Sequence, residues 1–182
     1  MKETLGRALF TGEEIQNRVK EIAEEVNRLY AGESLVVICV LKGAFMFYAD
    51  LLRLVQVRPE LDFVRIASYG NSSSSSRAIS FTKDIEISIA GKHVLVVEDV
   101  VDSGHSMNFL LKQLEARGAK SLRLCALIDK RERRELPVNV DFAGFEVSGG
   151  FIVGYGMDYA ERYRELPDIR LLELEDCGAS KS

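Results

Sequence analysis

The chain has 182 residues, of which 47% are hydrophobic and 29% charged, a balance that excludes a disordered chain and is typical of one globular domain. The formal net charge of -4 argues against a broad basic surface, so we do not expect a nucleic-acid partner. Because the sequence contains no membrane-length apolar run, no signal-peptide pattern in residues 1–9 and no metal-like cysteine spacing, we expect a cytoplasmic protein without a membrane partner.

The first half of the chain predicts helices that alternate with apolar strands. Thr11 and Glu14 have the spacing of a capping box, and the apolar residues behind them recur with helical periodicity until Gly32. Residues 35–41 form an unbroken apolar run, which is typical of a strand that is buried on both faces. The further elements predicted in this half are a helix at 44–55, a strand at 61–69 and a mobile loop in the serine-rich segment 71–76.

The second half continues the alternation and then loses its helices. Its predicted elements are strands at 85–89 and 94–97, a helix at 107–117 that Gly118 ends, a strand at 122–128, a charged turn at 130–135, and short strands at 140–147, 151–153 and 171–174. Strands that alternate with helices indicate an α/β fold with a mainly parallel, twisted central sheet flanked by helices. We therefore expect a single domain at 1–182, with a core at about 12–140 and a small antiparallel hood formed by about 1–11 and 141–182.

The segment 94–107, VLVVEDVVDSGHSM, carries most of the chemistry in this sequence. Its apolar strand ends in acidic residues, and ligands bind at the carboxyl ends of the strands in open parallel sheets. The next residues precede a helix N-terminus, where free backbone N–H groups and the helix dipole favour a phosphate. The glycine lets the backbone approach a ligand closely, and the serines add hydroxyl donors. The predicted phosphate-binding residues are Ser103, Gly104, His105 and Ser106.

Glu98 and Asp99 need a separate explanation, because carboxylates repel a bare phosphate. They accept hydrogen bonds from sugar hydroxyls, either directly or through Mg²⁺. An acid pair beside a phosphate loop therefore predicts a phosphorylated pentose as the ligand. The structural alternative is a capped helix preceded by solvated acids, and it leaves most of the pattern in 94–107 unexplained.

The same segment resembles the ribose-phosphate binding motif of the phosphoribosyltransferases: an apolar strand, Glu-Asp, two apolar residues, Asp-Ser-Gly and a further hydroxyl residue. Other segments resemble the hypoxanthine-guanine branch of this family and follow its order along the chain. They are Leu41-Lys42-Gly43, Ser68-Tyr69-Gly70, Ile128-Asp129-Lys130, the run 151–159 (FIVGYGMDY) and Tyr163-Arg164-Glu165-Leu166-Pro167. The resemblance extends from about residue 35 to residue 167.

The resemblance implies an enzyme of purine salvage. It implies Mg²⁺-dependent transfer of the 5-phosphoribosyl group from phosphoribosyl diphosphate to N9 of hypoxanthine or guanine, which gives IMP or GMP and diphosphate. Asp102 would be the general acid/base beside N7 of the purine, a role that typically contributes about 10²–10⁴ in rate. The family forms dimers and tetramers, so the resemblance also implies a homodimer or homotetramer.

The resemblance assigns a ligand group to each further motif. Lys130 would donate to the 6-oxo group, which selects hypoxanthine or guanine over adenine because a 6-amino group would meet it donor to donor. A cis peptide bond is implied before Lys42. The implied contacts are Lys42, Gly43 and Arg164 for diphosphate; Glu98, Asp99, Asp102 and residues 103–106 for ribose and its 5-phosphate; Lys130, Phe151, Ile152 and Asp158 for the purine; Ser68 and Tyr69 as a lid; and Glu98, Asp99 and Asp158 for Mg²⁺.

Three other interpretations stay open. An RNA-binding regulator on the same scaffold would need a basic face, which the net charge argues against. An enzyme of the same class could prefer xanthine or adenine, and a plain α/β interaction module would leave the acids and the phosphate loop without a purpose. Arg133 and Arg134 are both candidates for a further arginine of the family, and Arg77 stands where relatives often have glycine.

Overall fold

The structure, a computed structural model, describes residues 2–69 and 78–175. The helices are α1 (Gly12–Leu29), α2 (Phe45–Leu54) and α3 (His105–Glu115), with a short 3₁₀ turn at Arg131–Arg133. The strands are β1 (Lys2–Phe10), β2 (Leu35–Val40), β3 (Glu60–Tyr69), β4 (Ala78–Lys83), β5 (His93–Val101), β6 (Ser121–Asp129), β7 (Phe142–Glu146), β8 (Ile152–Val153) and β9 (Ile169–Glu175). None of the helices among these residues is long and apolar enough to cross a membrane.

The larger sheet has the strand order β4-β3-β2-β5-β6-β7. The pairs from β3 to β7 are parallel, and β4 is antiparallel to β3 at one edge. This confirms the predicted α/β fold with a mainly parallel central sheet. Every residue of β2 is buried, as its unbroken apolar sequence predicted.

Alternate side chains of the central strands pack against helices on opposite faces of this sheet. Val37 of β2 and Leu95 of β5 belong to the core that α1 and α2 cover. Val36 and Val94, one residue earlier in each strand, face the core that α3 covers. The strict alternation follows from the two-residue period of a strand, and it fixes the register of the sheet.

The start of α1 confirms the predicted capping box. Thr11 Oγ1 accepts a hydrogen bond from Glu14 N at 3.3 Å, and a Glu14 carboxylate oxygen accepts one from Thr11 N at 2.8 Å. These two bonds satisfy backbone donors that the first helical turn leaves free. The apolar face behind the cap, from Ile15 to Val26, is buried against the sheet.

A second sheet, with the order β1-β9-β8, is antiparallel and joins the two ends of the described chain. Residues 1–11 were expected in such a hood, but strand β1 was not predicted. The expected boundary at 140 also needs correction, because β7 pairs in parallel with β6 and extends the larger sheet to Glu146. Its apolar start, Phe142, is buried in the core beside α1, which explains this placement.

The strand predicted at 85–89 is wrong. The buried carboxylate of Asp62 accepts hydrogen bonds from Glu86 N at 2.7 Å and from Ile87 N at 3.0 Å, so a side chain takes donors that a strand would use for pairing. Ile89 is buried, which accounts for the alternating pattern without a strand. The loop predicted at 71–76, with Arg77, lies outside the described residues.

Candidate active site

The candidate site lies where the connections of the larger sheet diverge. From β2 the chain crosses through α2 to β3 on one side, and from β5 it crosses through α3 to β6 on the other. The loops that follow β2 and β5 therefore border a crevice at the carboxyl edge, the usual ligand position in such sheets. These loops contain the predicted Lys42-Gly43 turn and the predicted phosphate loop.

Glu98 and Asp99 lie near the carboxyl end of β5. Glu98 Oε2 is buried and has no hydrogen-bond partner among the described residues. Burial, together with the charge of Asp99, raises the pKa of Glu98 well above 4.5, and burial also raises the pKa of Asp99. The acid pair is thus held in a poorly solvated position and retains acceptor capacity for a ligand.

The turn after β2 lies directly against this acid pair. A Cβ atom added at Gly43 would overlap the Asp99 carboxylate, so no larger residue fits there without a shift. The peptide bond between Leu41 and Lys42 is cis, as the resemblance implied. A Cβ added at Gly156 would in turn overlap Gly43 O, so the 154–157 segment lies against the same turn.

The predicted phosphate loop leads into α3. Gly104 has φ +89°, and a Cβ atom added there would lie 2.5 Å from Leu136 O. No side chain caps the helix start that follows at His105. The backbone N–H groups of its first turn are therefore available to an anion. His105 Nε2 lies 2.7 Å from a Glu135 carboxylate oxygen, so the imidazole of His105 is directed at an acid.

Residues 134–136 support this loop from behind. Arg134 Nε donates to Asp102 O at 2.9 Å, and both Glu135 N and Leu136 N donate to Ser103 O, at 2.9 and 3.0 Å. The Arg134 guanidinium also pairs with the Asp129 carboxylate. Arg134 therefore links the backbone carbonyl of Asp102 to Asp129 at the end of β6. This contact was not predictable from the sequence, in which nothing separates Arg134 from its charged neighbours.

Asp102 sits within this supported loop. Its Oδ1 atom is buried without a hydrogen-bond partner among the described residues, and its Oδ2 atom lies 3.4 Å from Arg133 Nη1. Arg133 and Arg134 thus both contact Asp102, the first through the carboxylate and the second through the backbone. The free Oδ1 atom gives Asp102 an acceptor for a ligand proton.

Lys130 directly follows strand β6, whose carboxyl end lies beside the loop that contains Asp102. Its side chain is buried, and Nζ donates to Gly150 O at 2.9 Å. Burial lowers the pKa of Lys130, against the attraction of Asp102. The contact with Gly150 brings Lys130 to the stretch that contains Phe151 and Ile152, so three predicted purine contacts lie close together.

Phe151 differs from its neighbour in exposure. Its side chain is 44% exposed, whereas Ile152 is buried in the core. The rings of Phe151 and Tyr159 pack edge to face, with centroids 5.4 Å apart and an interplanar angle of 87°. An exposed, braced aromatic ring is suited to stacking on a flat ligand. No role was predicted for Tyr159 from the sequence.

Asp158 and Arg164 form an ion pair at 2.7 Å, and Arg164 Nη1 also donates to Gly156 O at 2.7 Å. Glu161 lies between Arg164 and Lys42 and bonds to both. Glu161 was not predicted from the sequence, because its partner Lys42 is distant along the chain and the acid stands in a mixed-charge stretch. The two cations predicted for diphosphate are thus brought together by an acid that was not predicted.

Among residues 2–69 and 78–175, no group of three or more His, Cys, Asp or Glu side chains is arranged to hold a metal ion. The predicted Mg²⁺ set of Glu98, Asp99 and Asp158 is therefore not assembled as a protein cage, since Asp158 pairs with Arg164. Magnesium commonly uses one or two carboxylates and completes its shell with water and substrate oxygens. The unpartnered Glu98 oxygen beside Asp99 fits that mode of binding.

The predicted lid residues Ser68 and Tyr69 end strand β3, where they pair with Ile79 and Ala78 of β4. Because β3 is parallel to β2, its carboxyl end lies at the same edge of the sheet as the acid pair. Gly70 and the serine-rich segment lie outside the part of the chain that the structure describes.

The crevice, the acid pair and the glycine-containing loop at a helix N-terminus are the features expected of an α/β protein that binds a sugar phosphate. Residues 7–160 match the family described as Phosphoribosyl transferase domain, and the chain belongs to this family. The matched range contains most of the residues discussed above; Arg164 follows it.

Named relatives are similar to almost the whole chain. A hypoxanthine-guanine phosphoribosyltransferase of Bacillus subtilis (strain 168) is 42% identical over 173 residues, which cover 95% of this chain and 96% of that protein. A hypoxanthine phosphoribosyltransferase of Escherichia coli (strain K12) is 43% identical, with 97% and 99% covered. The crystal structure of a hypoxanthine-guanine phosphoribosyltransferase from Bacillus anthracis superposes with a TM-score of 0.88 at 39% identity and covers 95% of this chain and all of that one.

Proposed function

We propose that this protein is a purine salvage enzyme that transfers the 5-phosphoribosyl group from phosphoribosyl diphosphate to N9 of hypoxanthine or guanine. The products are IMP or GMP and diphosphate. Relatives at 42% and 43% identity are named for this class of activity, and their similarity covers nearly the whole chain. The substrates are carried over from those names, and the arrangement of the side chains supports them.

The observation that carries the proposal is a pair of unpartnered acceptors. Glu98 Oε2 and Asp102 Oδ1 are two of the three buried side-chain polar atoms without a partner among the described residues. Buried carboxylate oxygens without a donor are costly, so each needs a ligand donor to offset the cost. A ribose with free hydroxyls satisfies Glu98, and a purine with a proton at N7 satisfies Asp102.

The 5-phosphate would bind at the start of α3. Backbone N–H groups of the first helical turn and the hydroxyls of Ser103 and Ser106 would donate to its oxygens. Residues 134–136 hold the carbonyl groups on the other side of the loop. The ribose of the same ligand would then reach back to Glu98 and Asp99.

The chemical step needs one proton transfer at the base. As the N9–C1′ bond forms and the bond from C1′ to the diphosphate oxygen breaks, Asp102 would accept the proton from N7. The purine nitrogen thereby becomes a better nucleophile, and in the reverse direction the same proton makes the base a better leaving group. Arg133 Nη1, 3.4 Å from the other Asp102 oxygen, would hold the carboxylate in position for this transfer.

Base selection would depend on Lys130. Its ammonium group has three donors and uses one for Gly150 O, so donors remain for the 6-oxo group of the purine. Phe151 would stack on the base, and the Ile152 backbone would meet its exocyclic edge. Asp158 would contribute a further contact near the base through its backbone.

The leaving diphosphate would bind between Lys42, the backbone of Gly43 and Arg164. Mg²⁺ would be held by Glu98 and Asp99, with Asp158 beside the diphosphate, and would neutralise charge on the leaving group. Ser68 and Tyr69, at the same edge of the sheet, would close over the reacting sugar and keep water from it.

A substrate panel tests this proposal. The purified protein is mixed with Mg²⁺, phosphoribosyl diphosphate and either hypoxanthine, guanine, xanthine or adenine, and nucleotide formation is followed. We expect IMP or GMP to form and AMP not to form. If xanthine is the preferred base, the assignment of hypoxanthine or guanine as the substrate is wrong at position 2 of the purine. A protein that is inactive with all four bases but binds RNA in a salt-sensitive way would overturn the enzyme assignment.

Two expectations from the sequence stay predictions within this proposal. The first is assembly into a homodimer or homotetramer, which analytical ultracentrifugation would measure. The second is a cytoplasmic location.

A further inference from the structure

Glu161 joins the two side chains to which the proposed function assigns the diphosphate. Lys42 Nζ lies 3.0 Å from Glu161 Oε1, and Arg164 Nη2 lies 3.1 Å from Glu161 Oε2. Each carboxylate oxygen therefore binds one of the two cations. The carboxylate of Glu161 thus occupies a position between the two cations.

The backbone holds Glu161 in this position. Tyr159 and Arg162 pair with each other through both backbone hydrogen bonds, at 3.1 and 3.0 Å, which closes a two-residue turn. The central residues of the turn, Ala160 and Glu161, have φ of +50° and +62°. This is the left-handed region that a tight hairpin turn requires and that residues other than glycine adopt at a cost. Glu161 N also donates to Asp158 Oδ2 at 2.9 Å.

The side chains differ in their freedom to move. The Glu161 side chain is 65% exposed and that of Lys42 is 47% exposed, whereas Arg164 is 19% exposed and has further bonds to Asp158 and Gly156. The carboxylate can therefore turn into solvent while Arg164 keeps its position. A ligand anion that needs both cations has to compete with this carboxylate, because Glu161 occupies donors on Lys42 and Arg164 that the anion would use.

We propose that Glu161 is an internal competitor of diphosphate: it balances the charges of Lys42 and Arg164 and weakens the binding of phosphoribosyl diphosphate and of diphosphate alike. Binding is then an exchange of one anion for another, and the departing diphosphate is displaced by the returning carboxylate. Glu161 would be a positioning residue that favours product release. The inference rests on the proposed function, because that function assigns Lys42 and Arg164 to the diphosphate.

The test is the variant Glu161→Gln, compared with wild type by calorimetric titration with inorganic diphosphate in the presence of Mg²⁺. Glutamine keeps the size of the side chain and removes the charge that competes. Since exposed ion pairs are weak, we expect diphosphate to bind about two- to tenfold more tightly. The KM for phosphoribosyl diphosphate should fall by a similar factor, because both ligands use the same two cations.

Two measurements separate competition from other effects. The affinity for IMP should be unchanged in Glu161→Gln, because IMP has no group at these cations, and unchanged binding also shows that the variant is folded. Glu165→Gln is the matched control, since Glu165 is an exposed acid four residues away that forms no ion pair among the described residues. It should leave the diphosphate affinity at the wild-type value.

The outcomes are separable. Unchanged or weaker diphosphate binding in Glu161→Gln, or equal tightening in Glu165→Gln, would overturn the inference and leave the proposed function in place. A wild-type protein that neither binds diphosphate nor forms nucleotide would remove the proposed function itself.

Discussion

At the scale of single residues, the proposed chemistry depends on side chains whose polar atoms are only partly satisfied within the protein. Asp102 offers a buried oxygen without a partner, and Lys130 uses one of its three donors for Gly150 O. Both groups lie on loops that directly follow strands of the larger sheet. Substitutions at these two positions should therefore change catalysis and selection without changing the fold.

The variant Asp102→Asn should lose turnover far more than nucleotide binding. The amide keeps the shape of the side chain but cannot accept the N7 proton, so kcat should fall by about 10²–10⁴. Steady-state kinetics and IMP titration measure the two effects. Glu132→Gln, which neutralises an exposed acid of the adjoining 3₁₀ turn, should keep full turnover. Near wild-type kcat in Asp102→Asn would exclude Asp102 as the base.

The variant Lys130→Met should lose preference for 6-oxopurines. A hydrogen bond to a charged group is worth about 1.5–3 kcal/mol, so kcat/KM for hypoxanthine should fall by about ten- to a hundredfold. Competition between hypoxanthine and adenine measures the change in preference. Lys112→Met removes an exposed lysine of α3 and should behave as wild type. If both variants keep the wild-type preference, the 6-oxo group is recognised elsewhere.

At the scale of elements, the phosphate loop and the 134–136 segment form one unit. Arg134 binds the backbone of Asp102, and two N–H groups of the segment bind Ser103 O. The close contact of Gly104 with Leu136 O leaves no room for a side chain. The geometry of the anion site thus depends on the packing of one loop against another.

The variant Gly104→Ala tests this dependence, with Gly91→Ala as its matched control. Both glycines have positive φ, +89° and +72°, so Gly91→Ala should lose about 1–2 kcal/mol of unfolding free energy and Gly104→Ala at least as much. A Cβ at Gly91 has no neighbour within 4 Å, whereas at Gly104 it meets Leu136 O. IMP affinity should therefore fall about ten- to a hundredfold in Gly104→Ala alone. Equal IMP affinity in the two variants would contradict the proposed loop geometry.

The strands also show which parts of the fold could be predicted from the sequence and which could not. Strand β2, which is apolar throughout, and β6, which is apolar from Leu124 to Ile128, were predicted because a strand buried on both faces needs such a run. The segment 85–89 was predicted wrongly because a carboxylate from Asp62 replaces the strand partner, and such a contact has no local signature. Strand β1 was missed because its partner among the described strands is β9, which lies far away along the chain.

At the scale of the whole molecule, the acid pair costs stability. The folded-state pKa of Glu98 is raised, so the folded protein binds its proton more tightly than the unfolded chain does. Glu98 therefore costs no unfolding free energy below about pH 4.5, its ordinary pKa, and lowers the unfolding free energy progressively as the pH rises toward the raised value. At neutral pH Glu98 therefore lowers the stability of the fold, while its carboxylate provides an acceptor for a ligand. Such an opposition between stability and function is common at binding sites.

The variant Glu98→Gln should consequently be more stable than wild type at pH 7 in the absence of metal and nucleotide. We expect the Tm to rise by about 2–4 °C, as about 1 kcal/mol gives in a chain of this size. The difference should shrink as the pH is lowered toward 4.5, since Glu98 then becomes neutral in both states. Calorimetry across this pH range measures the difference in Tm between the variant and wild type. A lower Tm in the variant than in wild type at pH 7 would show that Glu98 does not destabilise the fold.

The candidate site was predictable where chemistry is encoded in a short segment. Residues 94–107 place acids, a glycine and hydroxyls within one strand-loop-helix unit, and the structure keeps them together. Contacts between distant segments were not predictable from the sequence. The bridge from Glu161 to Lys42 is an example, because nothing near either residue specifies the other.

The central claim is that one crevice binds the ribose through acids, its phosphate through helix amides and its purine through Lys130. A crystal structure with bound IMP tests it most directly. We predict the phosphate at the N-terminus of α3, the ribose hydroxyls at Glu98 and Asp99, and the 6-oxo atom within hydrogen-bonding distance of Lys130 Nζ. Nucleotide bound at another surface, or with its phosphate away from the α3 N-terminus, would contradict the claim.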